Sequence, residues 1–423
     1  MKSLLFIFAI LTSFVAVSQH GLDKEIKNIE SKVIEWRRDF HKNPELSNRE
    51  FKTSAKIAKH LKSLGLEVKT GIAHTGVVGI LKGKNPGKVL ALRADIDALP
   101  VRERANLPFK STVSSTFGGQ DVGVMHACGH DTHTAILMGV AEILSKNKDK
   151  IKGTIKFIFQ PAEEGPPKGE EGGAKMMVKE GVLNNPKVDA IFGLHIGSGQ
   201  PVGTISYKPG GMMAAAQRFE INVKGKQTHG SMPWGGVDPI MASVKIIDGL
   251  QTLVSREMPL TQEAVVLSVG KITSGVRNNI IPETAQIIGT LRTLDYGMQK
   301  HMNTRMRELV PAIAKAYRAS ATIEIAEGTA ITYNHLGLTA QMLPSLKEAA
   351  GEKNVFEIKA ITGAEDFSFF QKEVPGLYFF LGGMTPGNKE AFPHHTPDFF
   401  IDESGMLLGV KTFIQMSIDY LNN

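Results

Sequence analysis

The chain has 423 residues, of which 42% are hydrophobic and 22% charged, and it contains a single cysteine. These ordinary fractions exclude a disordered or collagen-like chain, and one cysteine excludes both an internal disulfide and a multi-cysteine zinc finger. At roughly 100–200 residues per domain, the length predicts two or three domains. The net charge of +7 is small for this length, and no basic run alternates with aromatic residues, so no nucleic-acid partner is expected.

The first 18 residues have the pattern of a secretory signal peptide. Lys2 gives a positive start, residues 4–17 form one apolar run, and the small residues up to Ser18 suit cleavage. The run is shorter than the ~20 residues of a membrane span, although an uncleaved anchor is the alternative. The pattern therefore predicts an exported protein, periplasmic or secreted, with no membrane contact after cleavage.

Apolar runs alternate with helical patterns towards both ends of the remaining chain. Strands are predicted at 89–93, 154–159, 189–194 and 377–381, and helices at 134–144 and 406–420. The alternation predicts an α/β catalytic domain, residues 19–209 and 328–423, with a largely parallel sheet flanked by helices. Polar residues directly follow several of these strands, at the edge where such sheets bind ligands.

A different order of elements occupies residues 210–327. Its strands are predicted at 219–224, 265–269, 286–291 and 322–325, and its helices at 238–253 and 299–317. The order β-α-β-β-α-β is that of a ferredoxin-like domain. We therefore predict one such domain inserted into the α/β domain.

The only cysteine lies in the motif MHACGHD, residues 125–131, just before a predicted helix. A cysteine is more often a small buried apolar residue, but here histidines surround it within a few positions. Thiolate and imidazole are preferred ligands of zinc and similar divalent ions. Cys128 and His130 are therefore candidate metal ligands.

Two adjacent glutamates, Glu163 and Glu164, follow a predicted strand and precede a loop rich in glycine and proline. Neighbouring side chains point in different directions, so one carboxylate can bind a metal while the other takes a proton from water. A solvated surface pair is the alternative reading of two adjacent glutamates. Taken alone, such a pair is more often solvated, so the metal reading depends on the other candidate ligands.

Single histidines supply the remaining candidates. His195 ends a predicted strand, and His395 follows His394 in a polar loop, although each could instead be a capping, core or exposed residue. The joint set is too large for one tetrahedral zinc that keeps an open position, and it suits two divalent cations ~3.5–4 Å apart. The five candidate ligands are Cys128, His130, Glu164, His195 and His395.

Motifs in a fixed order extend over residues 36–402 and carry a family resemblance. They are RRDFHKNPELSNRE, RADIDALP, MHACGHD, QPAEEG, GLH, NNIIP, GTLR, GAEDF and HHTP. With them the chain resembles the aminoacylase and carboxypeptidase superfamily of dinuclear metallohydrolases. Within that superfamily it is most similar to the N-acyl-amino-acid amidohydrolases, which include hippurate hydrolases and auxin-conjugate hydrolases.

The resemblance implies roles for the candidate residues of the α/β domain. It makes the five candidate ligands the binding set for two divalent metal ions per subunit. Glu163 becomes the general base, which later gives its proton to the leaving amine. Asp97 aligns with an aspartate that orients a metal ligand.

The resemblance also implies roles for the inserted domain, which corresponds to the family's lid and often carries a homodimer contact. His229 corresponds to a lid histidine that polarises the scissile carbonyl, sometimes in the active site of the partner. Asn279 and Arg292 match positions that hold the substrate carboxylate. For Arg292 the planar guanidinium fits a carboxylate with two parallel hydrogen bonds, although an outward-facing strand residue is the alternative.

One difference from the superfamily pattern leaves the identity of the metal undecided. Many members of the superfamily have histidine at the position of Asp95 and aspartate at that of Cys128. Sulfur favours softer ions, whereas the carboxylate and imidazole ligands also suit manganese. Zinc, manganese, cobalt and nickel are therefore all expected candidates.

The expected reaction is hydrolysis of the amide bond of an N-acyl amino acid, hippurate-like or N-acetylated, by metal-activated water. A dipeptidase or carboxypeptidase with the same metal centre is the first alternative. An enzyme that uses Cys128 as a covalent nucleophile is the second. A binding protein that has lost the chemistry is the third.

Overall fold

The computed structural model describes residues 5–423, with side chains described from Leu22 onward. Its α-helices are α1 Leu5–Lys42, α2 Phe51–Ser63, α3 His130–Lys146, α4 Gly173–Lys179, α5 Pro239–Thr252, α6 Tyr296–Ala316, α7 Leu336–Ala350, α8 Ser368–Glu373 and α9 Met406–Asn422. Among these helices, none combines the length and hydropathy that a membrane span requires. The predicted signal peptide, residues 1–18, lies outside the residues whose side chains are described.

The strands of the described chain are numbered in order. They are β1 Glu67–Ile72, β2 Gly76–Lys82, β3 Asn85–Asp95, β4 Ser114–Phe117, β5 Gln120–Gly123, β6 Lys152–Gln160, β7 Ala190–Pro201, β8 Ile205–Tyr207, β9 Gly210–Met213, β10 Ala215–Lys224, β11 Thr228–His229, β12 Val265–Ser274, β13 Ile280–Ile281, β14 Thr284–Thr293, β15 Ser320–Ile325, β16 Thr332–Asn334, β17 Val355–Glu357 and β18 Gly376–Met384.

The chain divides into two compact units. The first unit contains Met1–Pro209, Asn334–Ile358 and Phe369–Asn423, and the second contains Gly210–Tyr333 and Lys359–Ser368. Each has its own apolar core. They are described separately.

The first unit is built on an eight-stranded sheet with the order β1-β2-β6-β3-β7-β18-β8-β17. Its four central strands, β6, β3, β7 and β18, are parallel, and antiparallel pairs join the strands at either side. The predicted α/β class with a largely parallel sheet is confirmed. The central strands are apolar on both faces because helices cover the sheet, as Leu92, Phe157 and Phe192 show by their complete burial.

Helix α3 lies inside this unit and begins at the candidate metal ligands. Its residues from His130 to Leu144 are buried, and it packs against α1 and α9. The helix is preceded by Gly129, whose φ of 92° is in the left-handed region. A Cβ atom at this position would lie 2.3 Å from Cγ2 of Ile196, so only glycine fits between Cys128 and His130.

The second unit contains an antiparallel four-stranded sheet with the order β12-β14-β10-β15. Along the chain, the elements follow as β10-α5-β12-β14-α6-β15, with the two short strands β11 and β13 paired separately. Helices α5 and α6 pack on one face, where Phe219, Ile287 and Met302 belong to its core. The alternation along β14 leaves Arg292 on the opposite face from the buried Leu291.

Candidate metal centre

The candidate residues of the first unit lie where its central parallel strands end. Asp95 ends β3 and Asp97 follows it, Glu163 and Glu164 follow β6, and His195 lies within β7. Because parallel strands end at one edge of a sheet, residues distant in sequence meet there. Both aspartates are completely buried, which places several ionisable groups in a region with little water.

Cys128 stands at the centre of this group. Its Sγ atom lies 3.4 Å from Nε2 of His195 and 3.3 Å from Nε2 of His395. Burial raises the pKa of the Cys128 thiol well above its usual range, and Glu164, Glu163 and Asp95 raise it further. A cation beside the sulfur would offset both effects, so this environment favours a thiolate only with a bound metal.

The other candidate ligands complete the cluster. One oxygen of Glu164, Oε1, lies 3.0 Å from Nε2 of His395 and 3.9 Å from Nε2 of His130. Ligand atoms of Cys128, His130 and Glu164 all lie within 4.8 Å of one another. The structure therefore brings all five predicted ligands together.

Hydrogen bonds set the protonation of two ring nitrogens. Nδ1 of His195 lies 2.8 Å from the carbonyl oxygen of Ile196, which can only accept, so the lone pair of His195 is on Nε2, towards Cys128. Nδ1 of His130 donates likewise to the carboxylate of Asp97, at 3.2 Å. Among the described residues, no hydrogen-bond partner meets the buried Nε2 of His130.

The electrostatics of His130 also indicate a cation site. Burial acts to lower the pKa of its imidazole, but Asp95, Asp97 and Glu164 outweigh burial and raise it to about 10. Carboxylates thus favour a positive charge at this position, which either a proton or a metal ion supplies. Thiolate, imidazole and carboxylate donors facing one space fit a divalent transition ion.

Asp97 makes hydrogen bonds to both His130 and the backbone of Glu164. Its Oδ1 accepts the hydrogen bond from His130, and its Oδ2 accepts from the hydroxyl of Ser47 at 2.7 Å and from the backbone N–H of Glu164 at 3.1 Å. These contacts hold one candidate ligand and the backbone of another in a fixed relation. The orienting role that the resemblance implies for Asp97 stays a prediction.

Glu50 is a residue of this region that the sequence reading left without a role. Its carboxylate accepts hydrogen bonds from the backbone N–H of Ala162 at 2.9 Å and from the hydroxyl of Thr75 at 2.6 Å. Ala162 has a φ of 50°, an uncommon conformation for a non-glycine residue, directly before Glu163. Burial and Asp97 raise the pKa of Glu50 to about 8. Glu50 is the last residue of the motif RRDFHKNPELSNRE, which was the one sign in the sequence that it could matter.

His133 was also missed as an individual residue, and hydrogen bonds engage both of its ring nitrogens. Its Nε2 accepts the backbone N–H of Ile196 at 2.8 Å, so its proton is on Nδ1, which donates to Asp95 at 2.6 Å. Arg93 holds the other oxygen of Asp95 at 2.7 Å. His133 therefore ties the aspartate at the end of β3 to the backbone beside His195.

The N-terminal part of the quoted motif supports the start of α3. Nε of Arg37 lies 2.9 Å from Asp131, and Nδ1 of His41 lies 2.8 Å from the same carboxylate, with all three side chains fully buried. Burial acts to raise the pKa of Asp131, but Arg37 and His41 outweigh it and hold it well below its usual range. Asp131 directly follows His130 and fixes its turn of helix.

The three remaining predicted residues lie in the second unit. His229 is exposed on β11, and its Nδ1 accepts the backbone N–H of Ser231 at 3.1 Å, which leaves the proton on Nε2. The carbonyl of Asn279 accepts the N–H of Gly230 at 2.8 Å, so the structure brings His229 and Asn279 together. Arg292 is half-buried on β14, on the sheet face opposite the helices.

Comparisons with known proteins match most of the chain. The model of peptidase family M20/M25/M40 matches residues 91–418. Thermostable carboxypeptidase 2 of Saccharolobus solfataricus is 41% identical over 403 residues, which are 95% of this chain and 98% of that protein. N-acetylcysteine deacetylase of Bacillus subtilis is 38% identical over 395 residues, 93% of this chain and 97% of that protein.

A solved structure is also similar over nearly the whole length. The YXEP protein of Bacillus subtilis, described as a dinuclear metal-binding peptidase from the M20 family, aligns with a TM-score of 0.78 and 35% identity. The alignment covers 94% of this chain and 99% of that chain. The likeness therefore includes both units.

The same comparisons correct the predicted localisation. The pattern of residues 1–18 indicated an exported protein, but the match to N-acetylcysteine deacetylase points away from export. The prediction of a periplasmic or secreted protein is therefore wrong. A short apolar N-terminal run is weak ground for export, since it describes only a composition.

Proposed function

The chain belongs to peptidase family M20/M25/M40 and is a metal-dependent amidohydrolase, and on this premise we propose that it hydrolyses the amide bond of N-acyl amino acids. The observation that carries the proposal is the convergence of one thiol, one carboxylate and three imidazoles at the ends of the central strands. Activity of the relative named N-acetylcysteine deacetylase is the supporting precedent for an N-acyl substrate.

Two divalent cations would be held by the clustered donors of the first unit. Support comes from the lone pair of His195 that faces the Cys128 sulfur and from the buried Nε2 of His130. Such ions, when bound, lower the pKa of water and polarise a carbonyl group. The proposed ligands are Cys128, His130, Glu164, His195 and His395, and zinc, manganese, cobalt and nickel are the candidate ions.

Glu163 is the proposed general base. Its Oε2 lies 3.8 Å from Nε2 of His130, beside the cluster, and its side chain is 10% exposed, so it can reach a water molecule. The carboxylate would accept a proton from the attacking water and pass it to the leaving nitrogen. The direction of its side chain depends on the left-handed Ala162 that Glu50 holds.

His229, Asn279 and Arg292 are the proposed substrate-binding residues of the second unit. Because Nδ1 of His229 is occupied by the N–H of Ser231, its Nε2–H is available as a donor to an oxyanion. Asn279 and Arg292 would bind the substrate carboxylate. The second unit is also the proposed homodimer contact, since Ile240, Met241 and Val244 are exposed on α5.

A substrate panel separates the proposal from its main alternative, a carboxypeptidase or dipeptidase, which the 41% identity to a thermostable carboxypeptidase favours. Protein loaded in turn with each of the four metals would be given N-acetyl and N-benzoyl amino acids, dipeptides and longer peptides. We expect the highest kcat/KM with the N-acyl amino acids. Cleavage of peptides without cleavage of N-acyl amino acids would overturn the proposal.

Removal of metal by a chelator distinguishes the proposed metal-dependent reaction from catalysis by a Cys128 nucleophile. Removal of metal should abolish turnover, and return of a divalent ion should restore it, because the cluster alone offers no activated water. Activity that survives complete chelation would favour the thiol.

A further inference from the structure

His394 precedes a proposed metal ligand and itself reaches the Cys128 sulfur, so its role needs a separate argument. Its Nδ1 lies 3.6 Å from Sγ, and its ligand atom lies within 4.8 Å of those of Cys128 and His195. By distance alone, His394 would count as a sixth ligand. Distance does not tell whether the nitrogen carries a lone pair or a proton.

The opposite side of the ring decides this question. The backbone N–H of Ser198 points at Nε2 of His394 from 3.2 Å. An amide N–H can only donate, so Nε2 must hold the lone pair that accepts this bond. An imidazole that accepts at Nε2 carries its proton on Nδ1, and a protonated nitrogen cannot bind a metal ion.

We propose that His394 donates an N–H···S hydrogen bond from Nδ1 to the Cys128 thiolate and is a positioning residue of the metal centre, not a ligand. The inference rests on the proposed metal site. The two adjacent histidines would then have opposite roles, because His395 presents Nε2 to the sulfur and to Glu164 at 3.3 and 3.0 Å.

The hydrogen bond has two consequences for the centre. It draws negative charge from a thiolate that lies among the carboxylates of Glu163, Glu164 and Asp95. It also links the sulfur, through the His394 ring, to the backbone of β7 at Ser198. The side chain of Cys128 is thus held by the strand that supplies His195.

The single cysteine allows a spectroscopic test on the full chain. In protein loaded with cobalt(II), a sulfur-to-cobalt charge-transfer band in the near ultraviolet can come only from Cys128. The variant His394→Phe keeps a ring of similar size and removes the N–H. We expect this band to move to longer wavelength, because the sulfur then holds more charge, while two cobalt ions still bind.

Cobalt affinity gives the second readout. Loss of a partner of a metal ligand typically weakens metal binding about 10- to 100-fold, which competition with a chelator measures. The variant His394→Gln, which keeps an N–H donor, should restore part of the band position. The control His60→Phe removes a histidine that contacts the carbonyl of Met138 on another face, and should leave both readouts unchanged.

Three results would overturn the inference. Loss of one cobalt ion from His394→Phe would make His394 a ligand. An unmoved band would mean that the proton goes elsewhere, for instance to the carbonyl of Cys128, which also interacts with this ring. Absence of any charge-transfer band in the unsubstituted protein would overturn the proposed metal centre as well, so the two failures are distinguishable.

A measurement without any variant covers the case in which His394→Phe does not fold. In zinc-loaded protein with nitrogen-15 histidine, long-range proton–nitrogen correlation identifies which ring nitrogen is protonated. We expect the Nδ1–H form for His394 with Nε2 unprotonated. An Nε2–H form would contradict the inference.

Discussion

The two units hold their ionisable residues in different ways. In the first unit, Asp131 is bound by Arg37 and His41 with no exposure to water. In the second, Glu257 is bound by Arg305 and His301 in the same combination, but on the surface, with all three side chains about one-third exposed or more. Three of the candidate ligands, Cys128, His130 and His195, are likewise buried, whereas His229 is exposed.

The comparison shows that side chains are held in fixed directions mainly in the first unit. Two candidate ligands of the first unit are held from behind by a hydrogen bond, His130 by Asp97 and His195 by the carbonyl oxygen of Ile196. Among the side chains that the structure describes, the His229 ring is hydrogen-bonded by its neighbour Ser231 alone. Changes to the buried ligands and to the residues that hold them should therefore alter metal binding and stability, whereas loss of the His229 imidazole should alter turnover alone.

The largest effect is expected for Glu163→Gln. Loss of the proton acceptor should lower kcat about 10²- to 10⁴-fold, while two metal ions remain bound, because the proposed ligands are untouched. Steady-state kinetics and elemental analysis measure the two quantities. Glu171→Gln, at a glutamate that pairs with Lys179 on the surface, is the matched control and should leave kcat unchanged. Normal turnover in Glu163→Gln would remove Glu163 from the mechanism.

Asp131→Asn should be the most destabilising of the substitutions considered. It removes the buried carboxylate that Arg37 and His41 share and leaves Arg37 with Glu403, and breaking such a buried ion pair costs about 3–5 kcal/mol of the free energy of unfolding at neutral pH. The pKa of Asp131 is held below its value in the unfolded chain, near 3.9, so its contribution is present above about pH 4 and lost as the pH falls.

Denaturant unfolding of metal-free protein at pH 7 and pH 3 checks this prediction. The difference between Asp131→Asn and the unsubstituted protein should shrink at the lower pH. A difference that stays constant would show that the loss has a steric origin rather than an electrostatic one.

For His229→Ala we expect a fall in kcat of about 10²- to 10³-fold, the usual cost of losing one oxyanion donor. Metal content and the free energy of unfolding should not change, because the imidazole is exposed. The exposed His301 offers a control, His301→Ala, with no expected change in kcat. A loss of metal in His229→Ala would break the division between the two units.

The smallest effect is expected for Glu257→Gln, the exposed counterpart of Asp131→Asn. Surface ion pairs contribute about 0–1 kcal/mol, so its free energy of unfolding should stay within that range of the unsubstituted protein. Arg305 lowers the pKa of Glu257, with His301 acting the same way, so the small contribution that exists should also vanish in acid. A loss of unfolding free energy equal to that of Asp131→Asn would show that burial does not decide the strength of these ion pairs.

Local patterns predicted the central strands well. The strand predicted at 154–159 is β6, Lys152–Gln160, and the one at 377–381 is β18, Gly376–Met384, because apolar runs of this length are buried on both faces. The edge strand β1 escaped prediction, since its residues are largely exposed and carry no apolar run. Export was wrongly predicted from residues 1–18.

Contacts across long stretches of chain limited the prediction of the site. Glu50 reaches Ala162, 112 positions away, and no spacing in the sequence announces that contact. In the motif HHTP, nothing local distinguishes His394 from His395. The distinction depends on an amide N–H at Ser198, 196 positions away.

The absence of a side chain at Gly129 limits which amino-acid substitutions this enzyme can accept. The residue separates a thiol from an imidazole, and its backbone lies against Ile196 with no room for a methyl group. Randomising this codon and selecting for hydrolysis should return glycine almost exclusively. Attempts to retune metal preference by directed evolution therefore have to alter the donors themselves, since the spacer between them admits no variation.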